Sequence, residues 1–366
     1  MKKIICSVIA VLLIVSLFVM TSFGESNTEV EVEAEYSRDL AGTTLNVFNW
    51  GEYISDGAEG ALDVIGAFEK LTGINVNYTT YESNEAMYAK LKSESVAYDV
   101  IIPSDYMIQR MAKEGMLKEV DYSKIPNYKY ILDDYKYQDY DPENKYTVPY
   151  SVGMVGLIYN TEIVEETPTS WDIMWDEKYK GQILNFNNSR DAFMIAQFNL
   201  GISVNTTDKA EWDKAAERLM EQSPLLQGRV MDEVFNKMEA GNAAIAPYYA
   251  GDFLTMQEVN ENLEFIYPED GTNIFVDAMC IPSCSQNYEA ALMFMNFMLE
   301  PEVALANAEF ICYATPNAAV LEHEEYSLKD NEYLYPEYDI KVEYYHDLDE
   351  ETRTYFEKLW EKVIIN

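Results

Sequence analysis

The chain has 366 residues, 48% of them apolar, and carries 64 acidic against 26 basic side chains, a formal net charge of −38. That length calls for about two domains, and the apolar fraction excludes a wholly disordered acidic chain. A body this negative is repelled by phosphates, which excludes nucleic acid as a partner.

Lys2 and Lys3 precede an uncharged apolar run over 4–20, and Ser22 and Gly24 supply small residues for cleavage after Gly24. Residues 1–24 therefore read as a signal peptide. Because the uncharged stretch approaches the length that spans a bilayer, an uncleaved N-terminal membrane anchor is the rival reading. Both place the rest of the chain outside the cytoplasmic membrane, secreted or anchored. Residues 25–42, Glu-rich at their start, read as a solvated acidic spacer.

A strand is then predicted over 45–50, a helix over 61–68, a strand over 74–78, a helix over 85–92, a strand over 99–104 and a helix over 106–115. Strands alternating with amphipathic helices imply a parallel sheet covered on both faces. Residues 121–146, rich in Tyr, Asp, Pro and Asn, read as a connection. A second series follows, with strands at 155–159, 183–186, 244–249 and 274–282. Its helices fall at 171–179, near 190–200, and at 208–221, 231–241 and 290–299. A closing helix is opened by Asp349, Glu350 and Glu351, acids suited to its positive N-terminal end.

Two such series predict two lobes with a cleft between them, and ligands of these sheets bind beyond the carboxyl ends of strands. Residues in those places are aromatic, acidic or amide-bearing: 50–53, 104–106, 187–191, 248–249 and 275–277. The chain also has 29 Tyr, 15 Phe and 5 Trp, and carboxylates with aromatic faces are the surfaces that attract organic ammonium groups. No His-Glu-x-x-His, Gly-x-Ser-x-Gly or phosphate-loop motif occurs. A secreted hydrolase using paired carboxylates therefore has no motif behind it. Asp139-Tyr-Asp141-Pro-Glu143-Asn144 lacks the glycine and the terminal Glu of a calcium loop. Cys280, Cys284 and Cys312 allow one disulfide but have no zinc-site spacing. Neither a metal nor a cofactor is expected.

Asn49-Trp50-Gly-Glu-Tyr53 and Tyr81-Glu-Ser-Asn-Glu-Ala-Met-Tyr-Ala-Lys-Leu-Lys92 resemble the polyamine-binding proteins of bacterial ABC importers, the spermidine/putrescine receptors above all. Further matches are Tyr98-Asp-Val-Ile-Ile-Pro-Ser-Asp-Tyr106, Ser170-Trp-Asp-Ile-Met-Trp175, Asp277 before Ile281-Pro282, and Tyr313-Ala-Thr-Pro-Asn317. Together they cover roughly 43–365. The resemblance implies an α/β, two-lobed periplasmic-binding-protein fold of type II, with two doubly wound sheets joined by a hinge and a ligand cleft between them. One lobe would hold 43–147 plus about 278–322, the other 151–270 plus about 340–366. It implies a monomeric receptor, not an enzyme, that hands a polyamine to a membrane ABC permease and its ATPase.

By the same resemblance the ligand-binding positions are Trp50, Glu52, Tyr53, Ser104, Tyr106, Asn188, Asp191, Tyr248, Phe275, Asp277, Tyr313 and Tyr345. Asn188 stands where the spermidine receptor has an acid, and Tyr248 and Phe275 stand where it has tryptophans. These departures leave spermidine against putrescine open, and Asp232 and Glu233 are sources of compensating charge. The physics suits a polyamine. Its methylenes gain from burial on aromatic faces, its charges from cation–π contacts worth ~0.5–2 kcal/mol each, and its ends need carboxylates because a buried unpaired charge is costly. None of the candidate positions is Arg or Lys, which speaks against an anionic solute. A same-fold receptor for another cationic or neutral solute remains the alternative.

Overall fold

The computed structural model describes residues 27–93, 96–337 and 339–365; the leader or anchor expected over 1–24 lies outside them. None of the described helices is long and apolar enough to cross a membrane. β1 (Thr44–Trp50) lies between β2 (Asn75–Tyr81) and β3 (Val100–Ile101) in a three-stranded, all-parallel sheet. The connecting helices are α1 (Val64–Thr72) and α2 (Asn84–Lys92), and α3 (Asp105–Lys113) follows β3. Side chains fix where helices begin. Asp63 accepts from Gly66 N at 2.7 Å, which starts α1 later than its apolar periodicity predicts, and Ser83 accepts from Ala86 N at 3.1 Å. Gly73, at φ +75, ends α1 in the left-handed conformation that glycine adopts without strain.

β4 (Val148–Asn160) is far longer than its predicted core and is buried along almost its whole length. After it come β5 (Ile183–Phe186), α4 (Ser189–Asn199), α5 (Lys209–Gln222), β6 (Leu226–Val230), α6 (Glu233–Glu239), β7 (Ile245–Tyr249) and α7 (Ala250–Val259). β8 (Leu263–Ile266), β9 (Thr272–Met279), α8 (Tyr288–Met298), α9 (Pro301–Ile311), α10 (Ala318–Glu322), β10 (Val342–Glu343) and α11 (Glu350–Ile365) complete the chain. The segment 171–179, predicted as a helix, forms two short 3-10 turns.

The second sheet runs β10-β9-β4-β7-β5-β6, with β8 also on β4. It is mixed rather than parallel throughout. β4 is antiparallel to β7, β8 and β9, whereas β5 is parallel to β6 and β7. β9 then passes beyond this sheet: Cys280 and Ile101 exchange backbone hydrogen bonds of 2.8 and 3.0 Å, antiparallel to β3. β4 and β9 are thus a pair of neighbouring strands that link the two sheets.

One apolar cluster joins Leu45, Val47, Phe68 and Val100 to Met279, Ile281, Phe294, Phe297 and Val303, so the chain after β9 returns to the first sheet. The larger cluster gathers Leu157, Phe186, Phe193, Trp212, Phe253 and Phe356. In it α11 packs back on α5, with Phe356 stacked on Trp212 at 5.0 Å.

Residues 27–42, expected as a solvated spacer, lie along the first cluster. Exposed and half-buried positions alternate from Asn27 to Tyr36, with Val30, Val32 and Tyr36 against the core. The fully buried Glu300 accepts from Glu33 N at 2.7 Å, Ala34 N at 3.1 Å and the Tyr36 hydroxyl at 2.6 Å. The acidic composition describes only the outward positions.

Candidate binding cleft

The cleft is assembled from strand ends and helix starts of both sheets. β1 delivers Trp50, whose indole Nε1 donates to Ile102 O at 2.9 Å and whose ring lies 4.6 Å from that of Tyr81. The chain turns through Glu52, at φ +49, and brings Tyr53 inward. β9 carries Phe275 and Asp277; β7 ends in Tyr248 and Tyr249; α4 opens with Asp191. Eleven of the twelve expected positions line one cavity: Trp50, Tyr53, Ser104, Tyr106, Asn188, Asp191, Tyr248, Phe275, Asp277, Tyr313 and Tyr345. Glu52 does not. The left-handed turn that points Trp50 and Tyr53 inward leaves its side chain exposed.

Asp277 is 3% exposed. Its Oδ2 accepts from the Tyr53 hydroxyl at 2.8 Å, while Oδ1 has no hydrogen-bond partner. Tyr53 in turn is in contact with Ser151 Oγ. Burial pushes the Asp277 carboxyl up to about 7, which the neighbouring hydroxyls of Ser104 and Tyr53 only partly offset. A buried carboxylate oxygen left open beside a cavity is costly unless a cation completes it.

Asp191 is built differently. Three neutral donors converge on it: Tyr249 at 2.7 Å and Asn188 Nδ2 at 2.5 Å on Oδ2, and Tyr345 at 2.9 Å on Oδ1. Burial still raises its pKa. Asn188 also caps α4, its Oδ1 accepting from Asp191 N at 3.1 Å.

Further residues beyond the twelve expected positions line the cavity. Asp252, on the first turn of α7, accepts from the Tyr313 hydroxyl at 3.0 Å, and desolvation pushes its carboxyl up to about 8. Tyr81 and Asn84 belong to the Tyr-Glu-Ser-Asn-Glu motif that carried the resemblance, so their signal was present. Tyr249, which lies with Tyr248 at the end of β7 but does not match a ligand position in the resemblance, packs edge-on to Phe275 at 5.5 Å. Asp232, on the exposed mouth, receives a long hydrogen bond of 3.4 Å from Tyr248. It faces Gly51 so closely that a Cβ there would lie 2.7 Å from Asp232 Oδ2.

Arg190 corrects the expectation of a cleft without bases. It lines the cavity at 4% exposure, its guanidinium 5.3 Å from the Tyr106 ring and 4.4 Å from that of Tyr345. Ring faces hold its charge. Glu82, Asp191, Asp232, Asp252 and Asp277 outnumber it five to one on the cavity wall, so the balance still favours a cation. The three described thiols, Cys280, Cys284 and Cys312, are free. No cluster able to hold a metal occurs among the described residues. Asp141 of the segment compared with a calcium loop binds Lys145 N, Tyr146 N and the Thr147 hydroxyl instead.

A model of the family described as bacterial extracellular solute-binding protein matches residues 96–339. The chain belongs to that family. It is 36% identical over 296 residues to the spermidine/putrescine-binding periplasmic protein of Salmonella typhimurium, covering 80% of this chain and 83% of the relative. The Haemophilus influenzae spermidine/putrescine-binding periplasmic protein 1 is 32% identical over 332 residues, covering 90% and 91%. Among solved structures, a Listeria monocytogenes chain assigned to a spermidine/putrescine ABC transporter superposes with a TM-score of 0.83 at 36% identity, over 88% of this chain and 99% of that one. The two-lobed solute-binding architecture is therefore the fold of this chain.

Proposed function

We propose that the protein is an extracytoplasmic polyamine receptor, a monomer that closes on spermidine or putrescine and delivers it to an ABC permease and its ATPase. The observation that carries this reading is Asp277, a buried carboxylate with one oxygen unpartnered in a cavity walled by Trp50, Tyr53, Tyr106 and Phe275. The cavity is narrow, about 70 Å3 in volume, room for a few water molecules. That suits a narrow chain of methylenes better than a bulky ring. An ammonium group completes Asp277, a second meets Asp252 or Asp191, and the intervening carbons lie on ring faces. The names of the family relatives support the same class of ligand.

Lobes of 43–147 plus about 278–322, and of 151–270 plus about 340–366, would move about β4 and β9, with Gly51 and Asp232 meeting at the mouth. Residues 1–24 serve as a cleaved leader or an anchor that keeps the receptor at the outer face of the cytoplasmic membrane. Native mass spectrometry of the gently purified protein tests the function: a bound polyamine is expected in the wild type and absent from Asp277→Asn. An anionic or bulky ligand in its place would refute it.

A further inference from the structure

Asn84, the amide of the Tyr-Glu-Ser-Asn-Glu motif, is buried and meets Ser104 at two points. The Ser104 backbone N–H donates to Asn84 Oδ1 at 3.2 Å, and a backbone N–H can only donate, so the orientation of the amide is fixed. Asn84 Nδ2 therefore donates to Ser104 Oγ at 3.0 Å, which leaves the Ser104 hydroxyl proton for another acceptor. Asp277 is that acceptor. The two backbones are bridged, and the Ser104 hydroxyl stands beside the carboxylate and favours its charged form. On the other side the order repeats. Tyr53 has one hydroxyl proton and gives it to Asp277 Oδ2 at 2.8 Å, so the buried Ser151 Oγ in contact with Tyr53 is the donor of that pair. Ser151 lies on β4 directly across from Asp277 on β9 and is not among the residues lining the cleft.

We propose that Asn84 and Ser151 are positioning residues: each donates to a hydroxyl whose own proton is thereby aimed at Asp277, and together they hold that carboxylate charged for an incoming ammonium group. This deepens the receptor reading and rests on Asp277 as the ligand's acceptor. Without Asn84 or Ser151, the hydroxyl of Ser104 or Tyr53 is free to turn and accept the proton of a neutral Asp277, which favours the form that holds no cation. The other titratable groups facing Asp277 are Tyr53 after β1, Tyr81 on β2, Asp105 at the start of α3, Tyr150 on β4 and Asp191 on α4. Arg190 is the cation on the same cavity wall. Burial raises all three tyrosines above their ordinary range, so Asp105 and Asp191 are the acids that titrate alongside Asp277, and every variant below retains both.

The Asp277 carboxyl, identified in carbon-13 spectra as the aspartate resonance lost in Asp277→Asn, is titrated in ligand-stripped wild type, Asn84→Ala and Ser151→Ala. In each variant it is expected to hold its proton about threefold more tightly. Putrescine affinity, read by calorimetry, is then expected to fall about threefold at about pH 6 and to match the wild type near about pH 8.5, where Asp277 is ionised in all three proteins. In Tyr53→Phe, which lacks the hydroxyl that Ser151 acts on, adding Ser151→Ala is expected to change the titration no further. An Asp277 titration unchanged in both variants, a loss of affinity equal at every pH, or an undiminished Ser151→Ala effect in Tyr53→Phe would overturn the proposal. The expected titrations with no putrescine binding to the wild type would support the positioning of Asp277 while counting against a polyamine as its ligand.

Discussion

Asn188 spends its side-chain oxygen on capping α4 and its amide on Asp191 Oδ2. An aspartate there would keep the cap but set a second carboxylate against Asp191, a pair that only an added cation relieves. Asn188→Asp is therefore expected to raise the ratio of spermidine to putrescine affinity about tenfold, or 1.4 kcal/mol, read by calorimetry. An unchanged ratio would mean that this end of the cleft does not count charges. At Gly51 a side chain would meet Asp232 Oδ2 at 2.7 Å across the mouth. Gly51→Val is expected to weaken ligand binding without lowering the melting temperature of the empty protein, since only closure is obstructed. Trp50 and Tyr53 were legible because they sit in a motif at the end of β1, and Asp277 because an acid within the apolar strand β9 matches the family's amine-holding acid. Asp252 was not, because a lone acid on a helix start reads as dipole pairing until the opposite wall is known; Arg190 stands at the wrong helix end for such pairing, and only the rings of Tyr106 and Tyr345 show what holds it. Glu52 misled for the converse reason: its neighbours turn inward, and one left-handed residue turns it out.

The elements show the same division. Local alternation identified β1, β2, α2 and β5 closely, but β4 was read as 155–159 because Pro149 and Gly153 blur its first half. Its partner in that half, β9, lies more than a hundred residues away, and such pairings leave no local mark. The docked segment at 27–36 is the element where composition overrode pattern. Its alternating Glu and apolar residues form a strap whose backbone N–H groups end on Glu300. Removing that carboxylate strands half-buried donors, each costing up to ~1–3 kcal/mol. Glu300→Ala is expected to destabilise the protein by ~2–4 kcal/mol in urea unfolding, and Glu300→Gln by less. Equal stability of Glu300→Ala and the wild type would show that the strap contributes nothing.

For the whole molecule, buried acids set how stability follows pH. Asp277 titrates near 7, and Asp105 and Asp252 near 8, all far above an unfolded aspartate. Between about pH 4 and 8 the folded, empty protein therefore binds more protons than the unfolded chain, so its stability falls as pH rises through that window. The melting temperature of the empty protein is expected to drop from pH 5 to 8, and Asp277→Asn to flatten that slope. A polyamine must displace those protons, so its affinity rises with pH over the same range. The net charge of −38 adds a long-range attraction for polycations that salt weakens, but the chemistry of the cleft rests on a few carboxylates among rings.

The central claim is most directly tested by calorimetric titration of ligand-stripped wild-type protein with putrescine and with spermidine near pH 7.5. A tight event of one polyamine per chain, with micromolar or stronger affinity, is predicted for at least one of them. No tight one-to-one event with either polyamine would contradict the account.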